Sequence, residues 1–149
     1  MANKAATPVV TKRDKLPRKN RFKISAGVQT GTRIKNVDNS GVKEVEVIGV
    51  IGYRGIMNRL PRASVSDIVV ASVKKGKPEL KGKIVYALII SQKMVIRRKN
   101  GERIAFEDIR SIILDSRGDP RGTGSVNSPV AKEVAEKFAR VGSMCSNIH

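Results

Sequence analysis

Residues 68–90 have the sequence IVVASVKKGKPELKGKIVYALII, in which a lysine-rich crossing, residues 74–83, joins two mainly apolar runs. Each run has the length of a β-strand, and neither alternates between apolar and polar residues. Both faces of such strands are expected to be covered, because a strand with one face in water would alternate. The two runs therefore favour a small closed β-barrel over an open sheet.

The crossing between these runs concentrates positive charge. Its cations are Lys74, Lys75, Lys77, Lys81 and Lys83. Glu79 is the only acid among them, so the lysines are expected to lack partners within the protein. Because like charges at this spacing repel one another, the crossing predicts an anionic partner.

The whole chain shares this imbalance. Its 149 residues, enough for one domain and a tail, carry 30 Lys and Arg against 13 Asp and Glu, a formal net charge of +17. Such a charge opposes the compact state and indicates a polyanion, of which nucleic acid is the commonest. The alternative, a solvated basic surface that aids solubility, explains an imbalance of this size less well.

A membrane surface is the other anionic partner to consider. No apolar run approaches the ~18 residues of a membrane-spanning helix. There is no basic amphipathic helix with bulky aromatic residues, and the N-terminus lacks the apolar stretch of a signal peptide. Cys145 is the only cysteine, which excludes an internal disulfide. We therefore expect a cytoplasmic protein that does not bind membranes.

Residues 1–26 form a separate basic segment, interrupted by Pro8 and Pro17 and containing one acid, Asp14. Its sparse apolar residues cannot offset the entropy of ordering, so we expect an arm that is disordered when free and ordered on a polyanion. A merely flexible terminus is the alternative. The acid and the prolines disfavour a mitochondrial transit helix. The cations expected to bind are Lys12, Arg13, Lys15, Arg18, Lys19 and Arg21.

Residues 27–149 are expected to form one barrel domain. Two β-rich runs between residues 32 and 50 flank the turn cluster 38–41, and valines at 45 and 47 alternate with glutamates at 44 and 46. An irregular passage, residues 52–67, contains Arg54 and Arg59. The sequence RSIILD, residues 110–115, predicts a further short strand.

Asn100-Gly101 lies between two β runs and predicts a two-residue type I′ hairpin. That register pairs Lys99 with Glu102, Arg98 with Arg103, and Arg97 with Ile104. Arg98 opposite Arg103 is a like-charge pair that needs a counter-ion. The hairpin thus requires an anion for the same reason as the crossing.

Residues 116–125 are glycine-rich but lack the order of a phosphate-binding P-loop. A single helix is predicted at about 129–141, with Ser128 as N-cap, Pro129 at the first position and Gly142 at the C-terminal stop. An apolar stripe on this helix is expected to dock on the barrel; it comprises Val130, Val134, Phe138 and Val141.

Nothing in the sequence predicts catalysis, a metal site or a cofactor. His149 is the last residue of the sequence, and Cys145 has no neighbouring histidine or ligand cluster. Asp108 and Asp115 lie at opposite ends of one predicted strand, about 23 Å apart at strand rise, and cannot act as a carboxylate pair.

The expected contact with nucleic acid is to phosphates. Aromatic residues make up only 3% of the chain, and there is no tryptophan. Proteins that hold single strands stack bases on aromatic side chains, which this chain cannot do to any extent. Lysine and arginine contacts to the backbone of a folded RNA remain.

Several motifs resemble the universal large-subunit ribosomal protein fourteen family, called ribosomal protein twenty-three in older eukaryotic naming. They are VDNSGVK, MNRLPRASVSDIVVASVKKGKPEL, RRKNGERIAFED and SPVAKE, and the likeness covers about residues 22–142. The long second motif resembles the eukaryotic and archaeal branch, and the basic tail fits a eukaryotic cytosolic ribosome better than an organellar one.

The resemblance implies a mainly β fold: a five-stranded barrel with a protruding β-hairpin ribbon and a short C-terminal helical segment. It implies a structural constituent of the large ribosomal subunit that binds its rRNA and has no enzymatic activity. Implied partners are small-subunit rRNA across the intersubunit bridge, neighbouring ribosomal proteins and, in eukaryotes, the anti-association initiation factor. A bacterial silencing factor uses the equivalent surface. Assembly would begin in the nucleolus in a eukaryote.

By the same resemblance the crossing lysines face rRNA, and the ribbon carries a second set of cations: Arg97, Arg98, Lys99 and Arg103. The residues assigned to the bridge or factor surface are Arg117, Arg121, Ser128, Lys132, Glu136 and Arg140. The chain departs from the family pattern at Ile109, in residues 110–113 and at Ser128, which bears on these last contacts. The alternative function is a free-standing RNA chaperone or repressor, against which the scarcity of aromatic residues argues.

Overall fold

The structure is a computed structural model that describes residue 16 and residues 22–149. Its nine strands and two helices, in chain order, are β1 (Val28–Gln29), β2 (Arg33–Asn36), β3 (Val42–Val50), β4 (Arg62–Ala63), β5 (Ile68–Gly76), β6 (Ile84–Ser91), β7 (Ile96–Arg97), β8 (Arg103–Ile104), β9 (Arg110–Leu114), α1 (Lys132–Lys137) and α2 (Ala139–Met144). Most of the basic arm that the sequence predicts, including all six of the cations expected to bind, lies outside the described residues.

Five strands form a closed barrel in the order β2-β3-β5-β6-β9. Four of the five seams are antiparallel, and the parallel seam between β2 and β9 closes the barrel. Closure leaves none of these strands as an open edge. It confirms the fold class that the two apolar runs predict.

Two apolar cores explain why β6 does not alternate between apolar and polar residues from Ile84 to Ile90. Val85, Ala87 and Ile89 belong to the cluster that also contains the inward residues of β3 and β5. Leu88 and Ile90 belong to a second cluster, which the helical segment covers. Both faces of β6 are therefore buried, as the absence of alternation predicts.

The hairpin of β2 and β3 also follows the predicted pattern. Val45 and Val47 are buried, and Glu44 and Glu46, which alternate with them, lie half-buried on the outer face. Register shifts interrupt the pairing of β3 with β5, which allows these long strands to bend around a narrow barrel. Residues 52–67 are largely irregular, as expected, except that β4 pairs with β1, which the sequence did not predict.

The predicted register of the β7–β8 ribbon is wrong by one residue. Ile96 pairs with Ile104 and Arg97 with Arg103, while the Arg98 amide donates to the Glu102 carbonyl at 2.9 Å. Gly101 has φ of +91°, but Asn100 does not share the positive φ that a type I′ turn requires at both central residues. The connection is a three-residue loop with glycine in the left-handed position, a pattern that sequence alone does not separate from the two-residue turn.

The predicted single helix is wrong, since the segment forms two six-residue helices. Val130 and Ala131 are extended because their amides bond to the carbonyls of Asn147 and Ile90. Helix α1 therefore begins later than the Ser128 N-cap predicts, with Ala131 as the cap residue. Phe138, at φ −123° and ψ 84°, separates the helices.

Gly142 is not the helix stop but lies within α2. A Cβ there would come within 3.0 Å of the Ala135 Cβ, so the glycine permits close packing of the two helices. The apolar stripe nevertheless docks on the barrel as predicted, with Val130, Val134, Phe138 and Val141 all buried in the second core. In residues 16 and 22–149 no helix has the length and apolar character needed to cross a membrane.

Candidate nucleic-acid interface

The turn that joins β5 to β6 is anchored to the barrel. Leu80 is buried in the barrel core, and its amide donates to the Lys77 carbonyl at 3.0 Å. The Lys77 amide in turn donates to the Gly41 carbonyl at 3.0 Å, which ties this turn to the one between β2 and β3. Hydrogen bonds and a buried leucine therefore hold the backbone segment that carries the lysines of the crossing.

Two of these lysines form ion pairs with glutamates, which corrects the expectation that the crossing lysines lack partners within the protein. Lys75 Nζ lies 3.0 Å from Glu44 Oε1, and Lys74 Nζ lies 3.6 Å from Glu46 Oε1. The register of β3 and β5 explains both pairs, because it brings Glu44 opposite Lys75 and places Glu46 opposite Ser72, two positions from Lys74. Exposed pairs of this kind contribute about 0–1 kcal/mol each, so neither lysine is firmly held.

Lys77 and Lys81 are exposed, and no carboxylate of the described residues lies within ion-pair distance of either ammonium group. Lys77 lies against Gly41 and borders a shallow groove that Lys43 also borders. Local sequence pattern could not identify Lys43 as part of this group, because it precedes Lys77 by 34 positions and only the barrel brings them together. Lys83 is half-buried and engaged in a contact.

The outer face of β2 and β3 carries alternating charge. Arg33 lies opposite Glu46, with Arg33 Nε 3.4 Å from Glu46 Oε2. Lys35 Nζ lies 3.0 Å from Asp108 Oδ2, and Arg110 Nη2 lies 3.8 Å from the same oxygen. The hydrogen bond from Lys35 lowers the pKa of Asp108, and the charge of Arg110 lowers it further.

The four cations of the ribbon differ in exposure: three lie on the surface and one points into the protein. Arg97, Lys99 and Arg103 are exposed, and Arg97 faces Arg103 across the two strands. Arg98 points inward: its Nε donates to Glu133 Oε1 at 2.8 Å, and its Nη2 donates to the His149 carbonyl at 2.7 Å. The bond to Glu133 raises the pKa of Arg98 above its ordinary value.

The like-charge pair that needs a counter-ion is therefore Arg97 with Arg103, and not Arg98 with Arg103. Arg98 faces Glu102, whose carboxylate lies 3.7 Å from Arg98 Nη1. Of the ribbon cations, three remain available to an external anion.

Arg54 and Arg59 are exposed on the loop between β3 and β4. The residues assigned to a bridge or factor surface are spread over the helical segment and the loop before it. Lys132, Glu136 and Arg117 are exposed, whereas Arg121 is half-buried. Arg140 is exposed and pairs with Asp119 at 2.6 Å. Ser128 is buried, so its side chain is not presented to a partner.

The described part of the chain has no cluster of His, Cys, Asp or Glu side chains that could hold a metal ion. Cys145 is half-buried, and burial raises the pKa of its thiol, which disfavours the nucleophilic thiolate.

Known proteins resemble this chain over most of its length. Residues 27–149 match the model of the family described as ribosomal protein L14p/L23e. The chain is 46% identical over 126 residues to the large ribosomal subunit protein uL14 of Methanocella arvoryzae, which covers 85% of this chain and 95% of that protein. It is 44% identical to the protein of the same name from Methanocorpusculum labreanum, with the same coverage.

The protein of this name from Methanothrix thermoacetophila is 44% identical over 131 residues, which covers 88% of this chain and 98% of that protein. These archaeal relatives agree with the branch that the motif MNRLPRASVSDIVVASVKKGKPEL indicates. The family consists of structural ribosomal proteins and not of enzymes. The family model and the relatives cover nearly all of the barrel domain. The chain accordingly belongs to the ribosomal protein L14p/L23e family.

Proposed function

We propose that the protein is a structural constituent of the large ribosomal subunit that binds rRNA through phosphate contacts. Membership of the family and the near-complete coverage of relatives named as large-subunit proteins support the assignment to this subunit. The ribosome, and hence the cytoplasm, is its proposed location, with nucleolar assembly if the source is a eukaryote.

The observation that carries the phosphate contacts is the group formed by Lys43, Lys77 and Lys81. Lys77 and Lys81 belong to the anchored β5–β6 turn, Lys43 borders the same groove as Lys77, and no carboxylate of the described residues lies within ion-pair distance of the three. Phosphates of a folded RNA would supply the missing charge, and a fixed backbone reduces the entropy lost when the contacts form. Aromatic residues are too few for base stacking to be the main contact.

The other cations extend this surface. Lys74 and Lys75 can exchange weak surface pairs for phosphates, and Lys83 lies at the end of the same turn. On the ribbon, a phosphate between Arg97 and Arg103 would relieve their repulsion. The arm is proposed to follow the RNA. Arg98 remains a predicted contact from sequence, but its bonds to Glu133 and His149 favour a structural role.

The bridge and factor surface is proposed on the helical segment. Lys132, Glu136 and Arg140 are exposed there with both signs of charge, which suits a protein partner such as an anti-association factor as well as small-subunit rRNA. Neighbouring ribosomal proteins are further proposed partners.

Sedimentation tests the assignment to the large subunit. We expect the tagged full-length protein to sediment with large subunits and intact ribosomes in a sucrose gradient of cell lysate. If it stays at the top of the gradient while large subunits sediment, the ribosomal function fails and a free RNA chaperone or repressor becomes the better explanation.

The salt dependence of rRNA binding tests the phosphate contacts. We measure the slope of log Kobs for rRNA binding against log salt concentration. A double variant with Lys77→Gln and Lys81→Gln is expected to reduce the magnitude of this slope by about two units, near one for each phosphate contact. Adding Lys75→Gln should reduce it further. The control is a double variant with Lys35→Gln and Lys93→Gln. It removes the same number of positive charges, but from the surface near Asp108. An equal or smaller change for the turn variant than for this control would mean that the turn faces water.

A further inference from the structure

The loop between β3 and β4 has an exposed, largely apolar tip, Ile56–Leu60. Three bulky apolar residues there are largely exposed: Ile56 by 68%, Met57 by 87% and Leu60 by 62%. Single exposed apolar residues are common, but three bulky ones within five positions form a patch of the kind that marks an interaction site.

The tip has a defined backbone shape. The Arg59 amide donates to the Ile56 carbonyl at 3.1 Å, which closes a four-residue turn. Asn58, the third residue, has φ of +66°, and a left-handed third residue is what a type II turn requires. Asparagine tolerates this conformation better than other side-chain-bearing residues. The turn therefore holds Met57 at an exposed apex.

Positive charge borders the apolar tip. Arg54 and Arg59 are exposed, and within the described ranges no carboxylate lies within ion-pair distance of their guanidinium groups. A complementary surface has an aliphatic pocket for the apex and carboxylates at its border. Such a surface belongs to a folded protein.

RNA fits this tip less well. Phosphates would satisfy the arginines, but three aliphatic side chains would face a polar sugar–phosphate surface and gain little from burial. Base stacking requires aromatic surface, and Tyr53, the aromatic residue of this loop, is half-buried and engaged in a contact. A second copy of the chain fits poorly too, because a two-fold contact would bring the arginines of both copies together.

We propose that the tip, Ile56–Leu60, is a docking surface for a neighbouring protein of the large subunit that offers an aliphatic pocket bordered by Asp or Glu. The inference rests on the proposed function, since that neighbour is a component of the assembled subunit. It assigns carboxylates to Arg54 and Arg59 in place of the rRNA phosphates expected from sequence.

Oxidation by hydrogen peroxide measures whether the tip is covered. Met57 should oxidise rapidly in the free protein, and in purified large subunits its rate should fall at least about tenfold, because oxidation follows exposure. Peptide mass spectrometry gives the rate at this residue directly. If the protein sediments with large subunits and the rate is unchanged, this inference is overturned while the proposed function stands; if it does not sediment, both fail.

Crosslinking then identifies what covers the tip. Met57→Cys is introduced with Cys145→Ala, labelled with benzophenone maleimide, assembled into large subunits and irradiated. A ribonuclease-resistant adduct is expected, with a protein whose crosslinked surface is aliphatic and contains carboxylates. Glu79→Cys, on the turn proposed to bind rRNA, is the control and should give a ribonuclease-sensitive adduct. An RNA adduct at position 57, or no protein adduct there when the control reacts, overturns the proposal.

Discussion

Arg98 Nε donates a 2.8 Å hydrogen bond to Glu133 Oε1, and the side chain of each residue is only 10% exposed. The bond joins the ribbon to α1 across 35 positions of sequence. Arg98 also donates to the His149 carbonyl, so one guanidinium holds the ribbon, the first helix and the residues after α2 together. An arginine that the sequence suggests as an RNA contact thus fixes the orientation of the ribbon.

Removal of this guanidinium should destabilise the fold. We expect Arg98→Gln to lower the free energy of unfolding by about 1.5–3 kcal/mol, because a buried carboxylate loses its charged hydrogen-bond partner. Arg97→Gln, one residue earlier but exposed and opposite Arg103, should change it by less than about 0.5 kcal/mol. Urea denaturation followed by circular dichroism gives both values. Equal effects of the two substitutions would contradict the structural role of Arg98.

The carboxylate of Asp38 connects the β2–β3 turn to β9. Its Oδ1 accepts hydrogen bonds from Asn36 and Ser40, and its Oδ2 accepts one from the Ile113 amide at 2.6 Å. Asp38→Ala should therefore lower the free energy of unfolding by about 1.5–3 kcal/mol, since a backbone donor near the core loses a charged acceptor.

Hydrogen exchange provides a local measurement for the same variant. The Ile113 amide should exchange faster in Asp38→Ala, relative to the amides of β5. The control is Asn39→Ala, which alters a neighbouring residue in the same turn. Protection of Ile113 that matches the control would show that the carboxylate does not hold β9.

Gly76 requires the absence of a side chain. Its φ is +156°, and a Cβ would lie 2.7 Å from the Gly41 carbonyl oxygen. Gly76→Ala should cost about 1–3 kcal/mol from backbone strain alone, and the contact with Gly41 adds to it. Gly49→Ala is a matched control, because Gly49 has no positive φ and a Cβ added there would meet no atom within 4 Å. Thermal melts should show a lower Tm only for the Gly76 variant.

Asp108 should make stability depend on pH in the acid range. The Lys35 hydrogen bond lowers its pKa in the folded state, so its stabilising contribution is complete above the ordinary carboxyl pKa. That contribution is lost as the pH falls through the lowered, folded-state value. The Tm difference between the native protein and Asp108→Asn should be constant above about pH 4 and shrink below it.

Lys35→Gln should remove the same acid-dependent component, since it removes the main cause of the lowered pKa. Melts of all three proteins from strongly acid to neutral pH test this. A Tm difference that stays constant through the whole acid range would show that the Lys35–Asp108 pair does not act in solution.

In the ribbon and the helical segment, the sequence predicted the location of each element but not its detailed structure. Asn100-Gly101 located the ribbon turn but not its register, because two- and three-residue loops accept the same residues. The spacing of Val130, Val134, Phe138 and Val141 identified the buried face correctly. It could not indicate that the residues after α2 bond to Val130 and delay the helix start, since those bonds join segments about 17 residues apart.

The sequence by itself determined the class of fold, the positions of most barrel strands, the buried faces and the excess of positive charge. These properties depend on local pattern, composition and the physics of apolar burial. Tertiary structure decided which cations remain available. The register of β3 and β5 places Lys74 and Lys75 within ion-pair distance of glutamates. The ribbon register directs Arg98 toward Glu133, and the folding of the barrel brings Lys43 and Lys77 to the same groove. Each of these outcomes depends on contacts between residues distant in sequence, which local pattern cannot specify.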